Sequence, residues 1–196
     1  MFTGIVHATE RIVRVSPTEV EVALPTVWGD TLSIGGSVAV NGVCLTAREI
    51  GERTIRADLS PETWSRTTFS SMHAGRVVNL ELPLSASRGF DGHWVLGHVD
   101  AVGRIRMLRR DGASWSLVVS FPPSGQRYIV DKGAIAVDGI SLTPYDVGED
   151  TFRCALIPET IEKTNLRDLR AGEPVNLEYD VLAKYVERMM RHVRAD

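Results

Sequence analysis

The sequence predicts an all-β protein in which one small antiparallel barrel-type fold is written twice in succession, followed by a C-terminal α-helix. Three observations lead there. Blocks of sequence recur in the same order at a constant offset, short apolar alternations are separated by turn signals, and the last residues change to helical spacing.

The repeat comes first. AVNGVCLT begins at Ala39 and AVDGISLT at Ala136, 97 residues on. PETWSRTT at Pro61 and PETIEKTN at Pro158 keep that offset, as do AGRVVNLE at Ala74 and AGEPVNLE at Ala171. Gly4-Ile5-Val6 matches Gly97-His98-Val99 at an offset of 93, which places four extra residues in the second copy. RRDGAS, Arg109 to Ser114, reads as the turn that holds them. Two copies of so long a unit indicate duplication of a whole domain rather than a solenoid. The boundary falls in SASRGFDG, Ser85 to Gly92, giving domains 1–88 and 89–180 and a terminal helix over 181–196.

Within each copy, Val20, Val22 and Leu24 alternate with Glu19 and Glu21. Val78, Leu80 and Leu82 alternate with Asn79 and Glu81, and Trp115, Leu117 and Val119 with Ser116 and Val118. Such runs are half-buried strands. Gly35-Gly36, Asn41-Gly42, Asp111-Gly112 and Asp138-Gly139 mark turns. A short helix follows each PET, where proline suits the first helical position and Glu62 or Glu159 sits in the first turn. From Val181 onward, Val181, Leu182, Tyr185, Val186, Met189, Met190 and Val193 recur at spacings of three and four. This amphipathic helix either packs on its own barrel or joins subunits.

Composition narrows the function classes. The 196 residues are 43% hydrophobic and 24% charged, and the net charge of -3 leaves no basic excess for a phosphate backbone. No apolar run reaches the length of a membrane span, and MFTGIVHATERIV lacks the pattern of a signal peptide, so a cytoplasmic location is expected. Two distant cysteines, Cys44 and Cys154, argue against zinc and thioredoxin-like chemistry.

The positions at which the copies differ carry the chemical information. Cys44 corresponds to Ser141, Asn41 to Asp138, Ile5 to His98 and Gly35 to Lys132. Two pockets of one ancestral shape would then present one molecule with two environments. Each residue has a plainer reading. Cys44 serves equally as a small apolar residue, Cys154 matches Ala57 and reads as simple packing, and a lone histidine such as His98 is more often held by the backbone than used in catalysis. His93 has no cluster of further metal ligands in the sequence. Ser141 lacks the GxSxG context of a hydrolase, and Gly35-Gly36 is not a phosphate loop. Lys132 reads as a solvated lysine unless a pocket reaches it.

MFTGIV, NGVCLT, GHWVLGHVD, DGISLT and IPETIEKTNL, in that order and at that spacing, resemble riboflavin synthase over nearly the whole chain. The resemblance implies two six-stranded Greek-key barrels, each binding one 6,7-dimethyl-8-ribityllumazine, and a homotrimer held by its C-terminal helices. The active site would lie between the N-terminal barrel of one subunit and the C-terminal barrel of its neighbour. One lumazine would give a four-carbon unit to the other, forming riboflavin and 5-amino-6-ribitylaminouracil without metal or redox cofactor. Lumazine synthase is a further candidate partner.

Carried over by position, the N-terminal pocket would use Gly4, Ile5 and Val6, then Cys44, Leu45 and Thr46, then Asp58, Leu59, Ser60, Pro61, Glu62 and Thr63. The C-terminal pocket would use Gly97, His98 and Val99, Lys132, then Ser141, Leu142 and Thr143, then Ala155, Leu156, Ile157, Pro158, Glu159 and Thr160. Phe2 and Thr3 would close over the site. His98, Ser141, Thr143 and Cys44 would stand near the reacting atoms, with His98 as base or relay for the lumazine C7 methyl. Ser141, or a water that it positions, would add to the donor ring, and Cys44 would position the partner ring. Asp91, Trp64 and Pro144 depart from residues usual in the family. The rival class is a lumazine protein of the antenna type, which shares the duplicated fold and holds its ligand without turnover.

Overall fold

The computed structural model describes residues 1–28, 31–86 and 89–193, with the backbone alone at 192 and 193. Ser87 and Arg88, within the expected domain boundary, and residues 194–196 of the expected terminal helix lie outside the described residues.

The first copy supplies β1 (Ala8–Val15), β2 (Glu19–Ala23), β3 (Ser37–Val40), β4 (Val43–Ile50), β5 (Thr54–Asp58) and β6 (Val77–Glu81). They form a closed antiparallel barrel in the order β1-β2-β5-β4-β3-β6. Between β5 and β6 lies α1 (Pro61–Arg66), capped by Ser60, whose hydroxyl accepts from the Thr63 N–H at 3.0 Å. The second copy supplies β7 (Ala101–Asp111), β8 (Ser114–Ser120), β9 (Ile135–Val137), β10 (Ile140–Leu142), β11 (Pro144–Tyr145), β12 (Thr151–Leu156) and β13 (Pro174–Tyr179), with α2 (Pro158–Lys163) in the corresponding place. The terminal helix is α3 (Val181–Val193).

The order of the second sheet, β10-β9-β13-β7-β8-β12-β11, is the same circle cut at one point. The cut falls within one of the six expected strands, and Pro144 explains it. In copy one the Ala47 N–H donates to Gly36 O at 2.8 Å and Gly35 N donates back to Ala47 O at 2.8 Å. In copy two Lys132 N donates to Pro144 O at 2.7 Å, but proline has no N–H for the return bond. The strand equivalent to β4 is therefore read as β10 and β11, separated by Thr143 alone. The four extra residues also differ from expectation. Most of RRDGAS is strand: β7 and β8 run to Asp111 and from Ser114, so the insertion lengthens a hairpin whose turn is Gly112-Ala113.

Each barrel encloses its own apolar core, with Val20, Val22, Ile55 and Leu80 in one and Leu117, Val119, Phe152 and Leu177 in the other. The alternation in β6 and β13 carries a further meaning. Every residue of β6 is buried: Val78 and Leu80 face the barrel, Asn79 reaches the other copy, and Glu81 is covered by Thr3 and Gly4 of its own copy. Asn176 and Glu178 repeat this on β13.

The two copies meet around a local pseudo-twofold axis. Phe2 and Val95 exchange backbone bonds of 2.7 and 3.2 Å. The hairpin turns Asn41-Gly42 and Asp138-Gly139 touch so closely that a Cβ on Gly42 would stand 2.6 Å from Gly139 N. Arg76 pairs with its own counterpart, Glu173, at 2.5 Å. Between these lies a buried polar cluster. Asn79 Nδ2 donates to Asp138 O and Asn165 Oδ1, both at 2.9 Å, while its own Oδ1 accepts from Asn165 N at 2.7 Å. Asn176 Nδ2 donates to Asn41 O at 2.9 Å, and Asp138 accepts from Asn176 N at 2.7 Å and Asn165 Nδ2 at 2.8 Å. Every bond replaces one the chain would make to water, so the cluster fixes how the copies sit as much as it stabilises them.

Candidate active site

The terminal β-strand of each copy carries, at its end in β6 and one residue before it in β13, a buried glutamate that gathers a backbone segment. Glu81 accepts from Thr3 N at 2.7 Å, Thr3 Oγ1 at 3.0 Å and Gly4 N at 3.1 Å. Glu178 accepts from Leu96 N, Gly97 N and His98 N at 2.7, 2.9 and 3.1 Å. Burial, opposed by these N–H donors, raises the Glu81 carboxyl above its ordinary range and pushes Glu178 up to about 7. The sequence signal was present in the repeated VNLE, an acidic residue at the same place in both copies, but in an alternating strand it looked solvent-facing.

Each gathered segment crosses to the other copy. Cys44 N donates to Gly97 O at 2.9 Å, and Ser141 N donates to Gly4 O at 2.8 Å. The grouping expected from the resemblance is therefore exchanged. Gly97, His98 and Val99 line a cavity of about 460 Å³ with Val43, Cys44, Ser60, Glu62 and Thr63 of the first copy. A second cavity beside it adds Leu45, Thr46, Asp58 and Leu59. Gly4 instead packs on Ser141, and Val6 packs against the second barrel's core. The physical reason is the pseudo-twofold axis: each entry segment is anchored by its own barrel's last strand but runs along the fourth strand of the other.

His98 is exposed and shares its cavity with Cys44. Asp58 is paired with Arg48. In the second copy Thr143 and Ala155 are exposed, as are the apolar side chains of Ile157 and of Ile5, which follows the Gly4 seated on Ser141. Ile157 occupies the cap position that Ser60 holds in copy one, without a side-chain cap bond. Pro158, Glu159 and Thr160 follow on α2, where Glu159 pairs with Lys163 at 2.5 Å. Leu142 and Leu156 face the barrel interior and belong to the core. Lys132 is exposed at a left-handed φ of 58°, where copy one has Gly35.

Two expectations change. Phe2 does not close over a pocket: it is fully buried with Ala39, Val95 and Ala136 in a small apolar cluster against which Cys44 packs. Thr3 is buried on Glu81. Cys154 lies in the second core, where burial pushes its thiol up to about 12 and leaves it unreactive. Of the other departures, Trp64 packs half-buried against the first core, and Asp91 lies at the rim of a cavity with Thr3, Ile5 and Glu81. The residue that sequence reasoning set aside is His93, which is buried with Nδ1 2.7 Å from Ser141 Oγ.

The Lumazine binding domain family matches the chain twice, over residues 3–83 and 96–180. The chain is 42% identical to the riboflavin synthase of Mycobacterium tuberculosis (strain ATCC 25618 / H37Rv) over 200 residues, covering 97% of this chain and 98% of that one. The chain belongs to the riboflavin synthase family. The Photobacterium phosphoreum riboflavin synthase is 39% identical, with 97% and 89% covered. The solved structure of LumP complexed with 6,7-dimethyl-8-(1'-D-ribityl) lumazine superposes with a TM-score of 0.82, 22% identity, and 91% and 98% covered, which is a likeness of fold. In this riboflavin synthase family member the two domain matches coincide with the two sheets described above.

Proposed function

We propose that this protein is a riboflavin synthase that catalyses the last step of riboflavin biosynthesis. One molecule of 6,7-dimethyl-8-ribityllumazine transfers a four-carbon unit to a second, giving riboflavin from the acceptor and 5-amino-6-ribitylaminouracil from the donor. The observation that carries the reading is the duplication itself: two surfaces of one shape, one built around Cys44 and the other around Ser141. A dismutation needs two copies of one molecule held in opposite roles, and fixing both reactants removes much of the entropic barrier. His98, Ser141, Thr143 and Cys44 stand at the reacting rings, with His98 taking the proton from the C7 methyl. The functional units are 1–88, 89–180 and the C-terminal segment from Val181, helical to Val193.

The helix supports a trimer. Leu182, Tyr185, Val186, Met189 and Met190 are each about half exposed or more. A groove of about 740 Å³ runs between this helix and Arg127, Tyr128, Val130 and Ala134. Such apolar surface fits a second copy of the chain, and the paired lumazines then lie between subunits. No helix among the described residues is long and apolar enough to cross a membrane. The reading places the enzyme in the cytoplasm, and co-purification tests whether lumazine synthase is a partner.

Incubation with 6,7-dimethyl-8-ribityllumazine tests the activity. Riboflavin should accumulate, and its absence at micromolar protein, with the ligand bound and fluorescent, would instead indicate an antenna-type binder. Cys44→Ala, His98→Ala and Ser141→Ala should each lower turnover by about tenfold or more without lowering the unfolding temperature. Met189→Glu should convert the trimer to monomers in sedimentation and remove activity with it. An active monomer would refute the shared site.

A further inference from the structure

Among the described residues the Ser141 hydroxyl has a side-chain partner in His93. His93 Nδ1 lies 2.7 Å from Ser141 Oγ, while His93 Nε2 is buried with no hydrogen-bond partner among the described residues. The backbone holds the ring in place. His93 N donates to Thr3 O at 3.1 Å, and Val95, two residues on, is bridged to Phe2. Gly92 lies so close to Thr3 O that a side chain there would collide with it. The ring thus stands on a segment clamped between the copies and points at one hydroxyl.

We propose that His93 is a positioning residue that holds the Ser141 hydroxyl by donating its Nδ1–H to Ser141 Oγ, leaving the Ser141 proton free to donate to a lumazine. The inference rests on the proposed activity. Burial lowers the His93 pKa, with Asp180 opposing, which favours the neutral ring with a single N–H. If the proton sat on Nε2, a buried N–H would be orphaned. With it on Nδ1, only a lone pair is left unpaired, and orphaned N–H groups are the rarer of the two. The Ser141 oxygen then accepts from His93, and its O–H is free to point away from the ring. Ser141 acts in this arrangement as a hydrogen-bond donor to an acceptor atom of the pteridine. It is not activated as a nucleophile, because the neighbouring nitrogen already carries the proton.

A double-mutant cycle on turnover separates this role from simple packing. His93→Phe and Ser141→Ala should each lower kcat by about tenfold or more, and the double variant should fall no more than about twofold below Ser141→Ala. His93→Asn, whose amide nitrogen reaches the Nδ1 position, should recover most of the loss. Multiplicative losses, or Asn no better than Phe, would overturn the proposal. Nitrogen NMR of the wild-type ring should show a protonated, pyrrole-type Nδ1, and a pyridine-type Nδ1 would also overturn it. Wild-type protein that forms no riboflavin would count against the proposed function, and the NMR measurement then decides the His93–Ser141 pair by itself.

Discussion

Gly97→Ala should leave a protein that is at least about 3 kcal/mol less stable and has lost nearly all riboflavin formation. Gly97 has a φ of 80°, and an added Cβ would stand 2.5 Å from Cys44 Cβ and 2.7 Å from Cys44 N. Neither side can retreat. Gly97 O accepts from Cys44 N, and Gly97 N is held by Glu178. Relieving the clash means separating the segment that carries His98 from the strand that carries Cys44. Gly75 is the control: its φ is 86°, yet nothing lies within 4 Å of a Cβ placed there. Gly75→Ala should therefore cost about 1 kcal/mol of backbone strain and leave turnover intact. Thermal unfolding and initial rates on both variants check this, and equal behaviour would remove the close approach as the cause.

Glu178→Gln should lower turnover by about a hundredfold and change how stability depends on pH. Above about pH 7 the ionised carboxylate accepts from all three N–H groups of Leu96, Gly97 and His98. The amide turns one oxygen into a donor facing another donor, so at least one buried N–H loses its partner at a cost of about 1–3 kcal/mol. The pH effect has a definite sign. The Glu178 carboxyl is raised from its ordinary 4.5 to about 7 in the folded protein, so folding favours the protonated form. Its contribution is fully present below pH 4.5 and is lost as pH rises to about 7, a change of about 3 kcal/mol by linkage. The glutamine variant should lack this part of the curve. Denaturant titrations at pH 4.5 and 7.5 measure it, and parallel curves for the two proteins would refute the assignment.

Much of the architecture was legible because duplication repeats its signals. The strands around Val20-Val22 and Leu117-Val119, the Asn41-Gly42 and Asp138-Gly139 turns and the helices after each PET all follow from local pattern. The exchange of segments was not legible, since a constant offset pairs Gly4 with Gly97 whichever barrel each one docks against. Asn79 and Glu81 look like the wet face of an alternating strand, but the second copy covers Asn79 and the chain's own Thr3-Gly4 segment covers Glu81. Pro144 was visible as a departure, but its effect depends on the Ala47–Gly36 bond that copy one makes and copy two cannot. His93 was set aside for want of metal partners, when its partner was a hydroxyl 48 residues away in sequence.

The crossed seating of Gly4 on Ser141 also dictates an order of events on the ribosome. Thr3 and Gly4 leave the exit tunnel long before Ser141 is translated, and their other anchor, Glu81, is also not yet made. The earliest residues of the barrel therefore wait unsheltered until the second half of the chain arrives, and the nascent first half is where a chaperone or protease would meet an unfinished edge.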